Sequence, residues 1–235
     1  MTRERPMKDF PCKALFLTLL QCLLASPAFA GPTELRCLSV PVVFFCEQPD
    51  NIRCLCDTST TAADFLQSLG LQAAEVITIR VVTEIPSHQG KKLVGSYNPT
   101  SKEVLILNYE ATEKLAREGL QIFGQEVTED LWCSYAAHEL AHAISLEHLN
   151  PRIKNHTAAE YIAGVTQLAV LDPATRQTIL ESYADVEPYR SRREMSELYF
   201  LFDPNRFAIK SYRHFISLTN PEKFIERLLK EGTGH

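Results

Sequence analysis

The stretch SYAAHELAHAISLEHLN, residues 134–150, decides how the rest of this chain is read. It sets His138 and His142 four residues apart, places Glu139 directly after the first, and adds His148 further on. Thr128 offers a side-chain cap upstream, and Glu129 and Asp130 follow where a helix N-terminus favours negative charge. Cys133, Ala137, Leu140 and Ile144 recur at i, i+4, i+7 and i+11, widened by Ala136 and Ala141, as the apolar stripe of an α-helix. This pattern predicts a helix over residues 128–149. At about 100° per residue, His138 and His142 share one face, with Ser134 and Ser145 nearby. That face lies about 200° from Leu140, so the imidazoles point away from the stripe, toward a neighbouring element.

Two imidazoles one turn apart both reach a single zinc ion at about 2.0–2.1 Å. Glu139, turned about 100° from His138, flanks such an ion rather than binding it and is placed to take a proton from an attacking water. Zinc needs a third protein ligand, and two residues compete for the role. His148 lies six residues after His142, on the wrong face of a continuing helix. The other reading of His148 is a helix C-terminal histidine, where positive charge is favourable. Glu160 lies in NHTAAEYIAGVTQLAVL, residues 155–171, which predicts a second helix from about residue 157 once NPRIKN has broken the first. Tyr161, Val165 and Leu168 form its stripe, and Glu160 lies beside it. Thr157 to Glu160 also reads as a capping box, which alone would account for a glutamate there. Glu160 is favoured as a ligand, because a histidine pair leaves zinc short of three protein donors.

HELAH, residues 138–142, resembles the motif of the zincin metallopeptidases, and the order of strands followed by the motif helix is similar over roughly residues 76–165. The resemblance implies a twisted sheet whose edge strand precedes the active-site helix, and zinc-dependent hydrolysis of a peptide or protein substrate. The metzincin branch would use His148, but its glycine and its methionine turn are missing; Met195 is the only methionine beyond residue 30. The gluzincin branch takes a glutamate from a second helix, which fits Glu160. In the thermolysin-like enzymes an acidic residue one turn later supports a ligand histidine. Here that position is Gly164, so the support must come from elsewhere, with Asp185, Glu197 and Asp203 as acidic candidates. Zincins often stabilise the oxyanion with a Tyr or His from the C-terminal half. FAIKSYRHF, residues 207–215, supplies Tyr212 and His214 for that catalytic role, and Tyr161 is nearer the ligands in sequence. Analogy with the same architecture has the edge strand take an extended peptide by strand addition. A rival reading keeps the fold without turnover, as an inactive zincin-like binding or structural protein. Glu139 argues against it, since a structural site needs no general base.

Working outward, EVITIRVVTEI (residues 75–85), KLVGSY (92–97) and EVLILN (103–108) read as strands, the last two joined by the turn NPTSK as a hairpin at the sheet edge. Helices are expected at about 60–69, 111–123, 128–149, 157–170, 173–183, 193–201, 204–217 and 221–230. Strands first and helices after predict an α+β domain: a small, twisted, mostly antiparallel sheet, the active-site helix and a helical C-terminal half. Arg190, Arg192 and Arg193, in YRSRREMSE, read as a solvated face rather than a carboxylate-binding cluster.

The first thirty residues carry Arg3, Arg5, Lys8 and Lys13, then the apolar run ALFLTLLQCLLA, then Ala28-Phe29-Ala30 before Gly31. This is the pattern of a secretory signal peptide, too short for a spanning helix, and it predicts export to a periplasm or the medium. Domains are expected as residues 1–30 signal, 31–57 a Cys-rich segment with a strand around 40–45, and 58–235 the zincin-like unit. Beyond residue 30 there are 20 Lys+Arg against 27 Asp+Glu, a balance of −7 that argues against nucleic acid or an anionic membrane as partner. Cys37, Cys46, Cys54, Cys56 and Cys133 remain; the first four crowd into twenty residues, which in an oxidising compartment predicts disulfides of undetermined connectivity and one odd thiol.

Overall fold

Val42–Cys46 (β2), with the sequence VVFFC, is buried along most of its length, as a strand flanked on both sides and covered by helices must be. The computed structural model describes residues 32–47, 52–87, 92–152 and 156–233; the expected signal peptide lies outside them. Thr33–Arg36 (β1) pairs antiparallel with β2. Ile52–Ser68 (α1) then carries the chain back, so that Ile77–Val82 (β3) lies parallel to β2. The chain next skips one position to make Gly95–Asn98 (β4) at the edge. It returns through the expected turn as Glu103–Leu107 (β5), antiparallel to β4 and parallel to β3. The order is β1-β2-β3-β5-β4.

The sheet is therefore mixed, not mostly antiparallel as the short hairpin signals suggested. The correction comes from α1, a crossover that returns the chain to the same end of the sheet and so forces parallel pairing. The Cys-rich segment supplies β1, β2 and the start of α1, and residues 31–235 form one compact unit. Cys37 pairs with Cys56 and Cys54 with Cys133, at Cα separations of 5.6 and 6.2 Å. The second bridge spans 79 residues and anchors α1 to the HELAH helix; the chain-entropy account puts its stabilisation at about 4.5 kcal/mol. Cys46, buried in β2, is left as the thiol among the described cysteines.

After β5 the structure is helical: Tyr109–Arg117 (α2), Glu129–His148 (α3), His156–Val170 (α4), Pro173–Ser182 (α5), Glu197–Phe202 (α6), Pro204–Ser217 (α7) and Pro221–Glu231 (α8). The stretch expected as one helix over 193–201 is split. A 3₁₀ turn at Arg192–Glu194 ends before Ser196, whose side chain caps a fresh helix by accepting from Tyr199 N. α2 stops six residues early because Gly119, at φ 99°, turns the chain out of the helix. Among the described residues no helix is long and apolar enough to cross a membrane.

α3 is the centre of the molecule. Thr128 caps it as expected, its hydroxyl accepting from Leu131 N. Cys133, Ala137, Leu140 and Ile144 are buried against the sheet and α1, and Trp132 Nε1 donates to Leu107 O of β5 at 2.7 Å. α4 packs against both α3 and α1, and α7 packs against α4.

Candidate metal centre

α3 and α4 are joined by a short connection and run side by side, so residues ascending one helix meet residues descending the other. His138 and His142 of α3 thereby face Glu160 of α4, and Ser134 faces Gln167. His138 Nε2 lies 3.2 Å from His142 Nε2. Glu160 Oε2 lies 3.7 Å from the first and 3.5 Å from the second. Three donors held at about 2.0–2.1 Å from one tetrahedral ion would stand about 3.3–3.4 Å apart. The triangle matches that spacing closely, and two imidazoles with one carboxylate are a donor set suited to zinc.

The histidine tautomer follows from a chain of hydrogen bonds. Ser134 Oγ donates to Leu131 O at 2.6 Å, so it has only lone pairs left for Gln167. Gln167 therefore turns its NH₂ to Ser134, at 3.1 Å, and its carbonyl oxygen to His138 Nδ1, at 3.0 Å. His138 donates from Nδ1 and keeps a lone pair on Nε2, the atom aimed at the centre. Burial, reinforced by His142, lowers the His138 pKa to about 4, so the ring is neutral at pH 7. Burial also works against a charged His142, but the Glu160 and Glu139 carboxylates outweigh it and raise its pKa. Glu160 is correspondingly held below the usual range: burial opposes this, and His142, His138 and His156 overcome it.

Gln167 replaces the acidic support sought at Asp185, Glu197 or Asp203. Asp185 is paired with Arg206 at 2.6 Å, Asp203 caps α7 by accepting from Arg206 N, and Glu197 is exposed in the first turn of α6. A usable signal existed: Glu160 and Gln167 are seven residues apart, which returns them to one helical face. Gly164 serves another contact. A Cβ there would come within 2.9 Å of Ala208 Cβ, so it lets α4 and α7 approach rather than α3 and α4. Thr157, expected as a cap, is the second residue of α4 and buried, and Glu160 is turned to the histidines. Replacing Gln167 by Leu is expected to preserve the fold and weaken zinc binding about 10–100-fold, measured by competition with a chromogenic chelator. An unchanged affinity would show that His138 needs no support.

His148 stands at the far end of α3, exposed, with Nε2 2.9 Å from the Gln72 carbonyl oxygen. It anchors the loop after α1 and is not part of the triad.

Glu139 is 5 % exposed and lies between the triad and edge strand β4. Burial lifts its carboxyl to a pKa of about 7; His142 opposes the rise, Glu160 adds to it, and the Tyr97 backbone N–H opposes it. Gly95 is required beneath it, since a Cβ on that residue would sit 2.6 Å from Glu139 Oε1 and 2.8 Å from its Cγ. Gly95→Ala is therefore expected to displace the Glu139 carboxylate and lower the melting temperature of the metal-free protein; an unchanged melting temperature would refute the contact's importance.

Tyr212 and His214 are not brought to the triad. Tyr212 packs under Arg176, which donates to the Leu168, Ala169 and Leu171 carbonyls at the far end of α4, about 12 Å along the helix from Glu160. His214 Nδ1 lies 2.7 Å from Tyr161 Oη in a buried pair, its ring against Phe224 and Tyr189. Sequence reasoning also missed Tyr135, one turn before Glu139 on α3. Its ring centroid is 6.4 Å from that of His138, and burial, then the Glu139 carboxylate, push its pKa up to about 12.

No curated protein and no solved structure matches this chain. Residues 45–233, which include β3, β5, α3, α4 and every residue of the site, match a family whose own function is unknown, and the chain belongs to that family, DUF6639.

Proposed function

We propose that this protein is an exported zinc-dependent peptidase of the gluzincin type. The observation that carries the reading is the triangle of His138 Nε2, His142 Nε2 and Glu160 Oε2 with the Glu139 carboxylate beside it. The antiparallel edge strand β4 alongside α3, and a ligand glutamate on the next helix, support the zincin assignment of the fold. Two disulfides, together with the basic and apolar first thirty residues, support export.

Zinc in this triad would polarise a scissile carbonyl and make an attacking water more acidic. The residues of the chain do the rest. Gln167 and Ser134 hold His138 in the tautomer that leaves Nε2 free. The outer edge of β4, where the Tyr97 N–H already meets Glu139, would offer its remaining backbone groups to an extended peptide. Glu139 takes a proton from the attacking water and returns it to the departing amine as the C–N bond breaks.

The test is metal content together with hydrolysis. The purified protein should hold about one zinc per chain by mass spectrometry. It should cleave unfolded casein, lose that activity to a chelator, and regain it with zinc. A well-folded protein without zinc, or a zinc-loaded one inert toward casein and a broad peptide library, would overturn the proposal.

A further inference from the structure

We propose that Tyr135 is a catalytic residue of this centre, its hydroxyl donating a hydrogen bond to the scissile carbonyl oxygen as that oxygen becomes an anion. The inference rests on the peptidase reading. Hydrolysis needs a donor aimed at the oxygen on which charge develops. The residues expected to supply one are committed elsewhere, Tyr212 under Arg176 and His214 to Tyr161. Gln167 and Ser134 are committed to each other and to His138.

Tyr135 is differently placed. At about 100° per residue it falls about 60° around α3 from His138, between His142 at about 40° and Glu139 at about 100°. It therefore lies on the flank of the helix that carries the site, one turn before Glu139, with its ring centroid 6.4 Å from that of His138. Ser134 and Ala136 on either side are fully buried, while Tyr135 is partly exposed, its ring inclined 48° to that of His138. No described residue hydrogen-bonds its hydroxyl, so the donor is left for a ligand. A phenol is protonated at neutral pH, and the neighbouring carboxylate keeps it so. The proton balance is closed without it: water gives its proton to Glu139, Glu139 gives it to the amine, and Tyr135 keeps its own throughout.

Tyr135→Phe removes the hydroxyl and keeps the ring. On a quenched-fluorescent peptide that the wild type cleaves, kcat should fall about 10²–10³-fold with KM within about twofold and zinc retained. A peptide phosphonate, whose tetrahedral anion imitates the adduct, should bind the variant at least about tenfold more weakly by calorimetry. Unchanged kcat, or unchanged phosphonate affinity, would overturn the role of Tyr135 alone. A wild type that holds zinc but cleaves nothing would overturn the peptidase reading, and this inference with it. If Tyr135→Phe does not fold, Tyr135→His and Tyr135→Met are compared instead. A higher kcat in the His variant, which restores a donor, supports the proposal, and equal rates overturn it.

Discussion

Glu139→Gln is expected to keep its zinc and lose about 10²–10⁴-fold in kcat, because the amide is close in shape to the carboxylate but takes no proton. KM should change little. A variant that behaves as the wild type in every assay would instead favour a binding protein built on the same fold. The same substitution predicts an opposite effect on the stability of the metal-free protein. The Glu139 carboxyl titrates near pH 7 when folded, against an ordinary value of 4.5, and burial is the main cause. Folding therefore takes up a proton between about pH 4.5 and 7, and stability is lost as pH rises through that window. At pH 8 the metal-free wild type carries a penalty on the order of 3 kcal/mol that glutamine does not share. Metal-free Glu139→Gln should melt higher than the wild type at pH 8 and at the same temperature near pH 4. Equal melting temperatures at pH 8 would show that the carboxylate is not held at this cost.

Glu160→Ala should leave the purified protein without stoichiometric zinc, a larger effect than the about 10–100-fold expected of a supporting residue. His148→Ala should keep about one zinc per chain, since its ring is engaged with the Gln72 carbonyl oxygen. The pair of variants separates the two readings of the third ligand in a single metal measurement. Zinc lost with His148→Ala and kept with Glu160→Ala would contradict the triangle on which the centre is built.

The helix that holds the centre was legible almost to the residue. Thr128 caps, the stripe through Cys133, Ala137, Leu140 and Ile144 repeats at helical spacing, and the helix ends at His148, just before the stretch expected to break it. The hairpin of β4 and β5 was equally plain from its turn residues. These features are local: cap, period and turn are decided by residues within one or two turns of each other. Two histidines four apart on such a helix share a face whatever surrounds them.

What lay beyond reach was decided by pairing over distance. The parallel pairing of β2 with β3 depends on how α1 packs, and nothing in a strand's own residues states its partner's direction. The bridge from Cys54 to Cys133 joins residues 79 apart, and the connectivity that the sequence left undetermined follows from the packing of α1 on α3. Gln167, Gly95 and Tyr135 carry no motif; each gains its place only when α4 and β4 close around α3. Glu160 is the intermediate case. Its sequence offered both a cap and a ligand and favoured the ligand, and the packing of α4 against α3 brought its carboxylate to the histidines. By itself the sequence determined a helix presenting two histidines with a glutamate beside them. The tertiary structure decided what faces them, because the third donor, the support for His138 and the room for Glu139 all come from other elements.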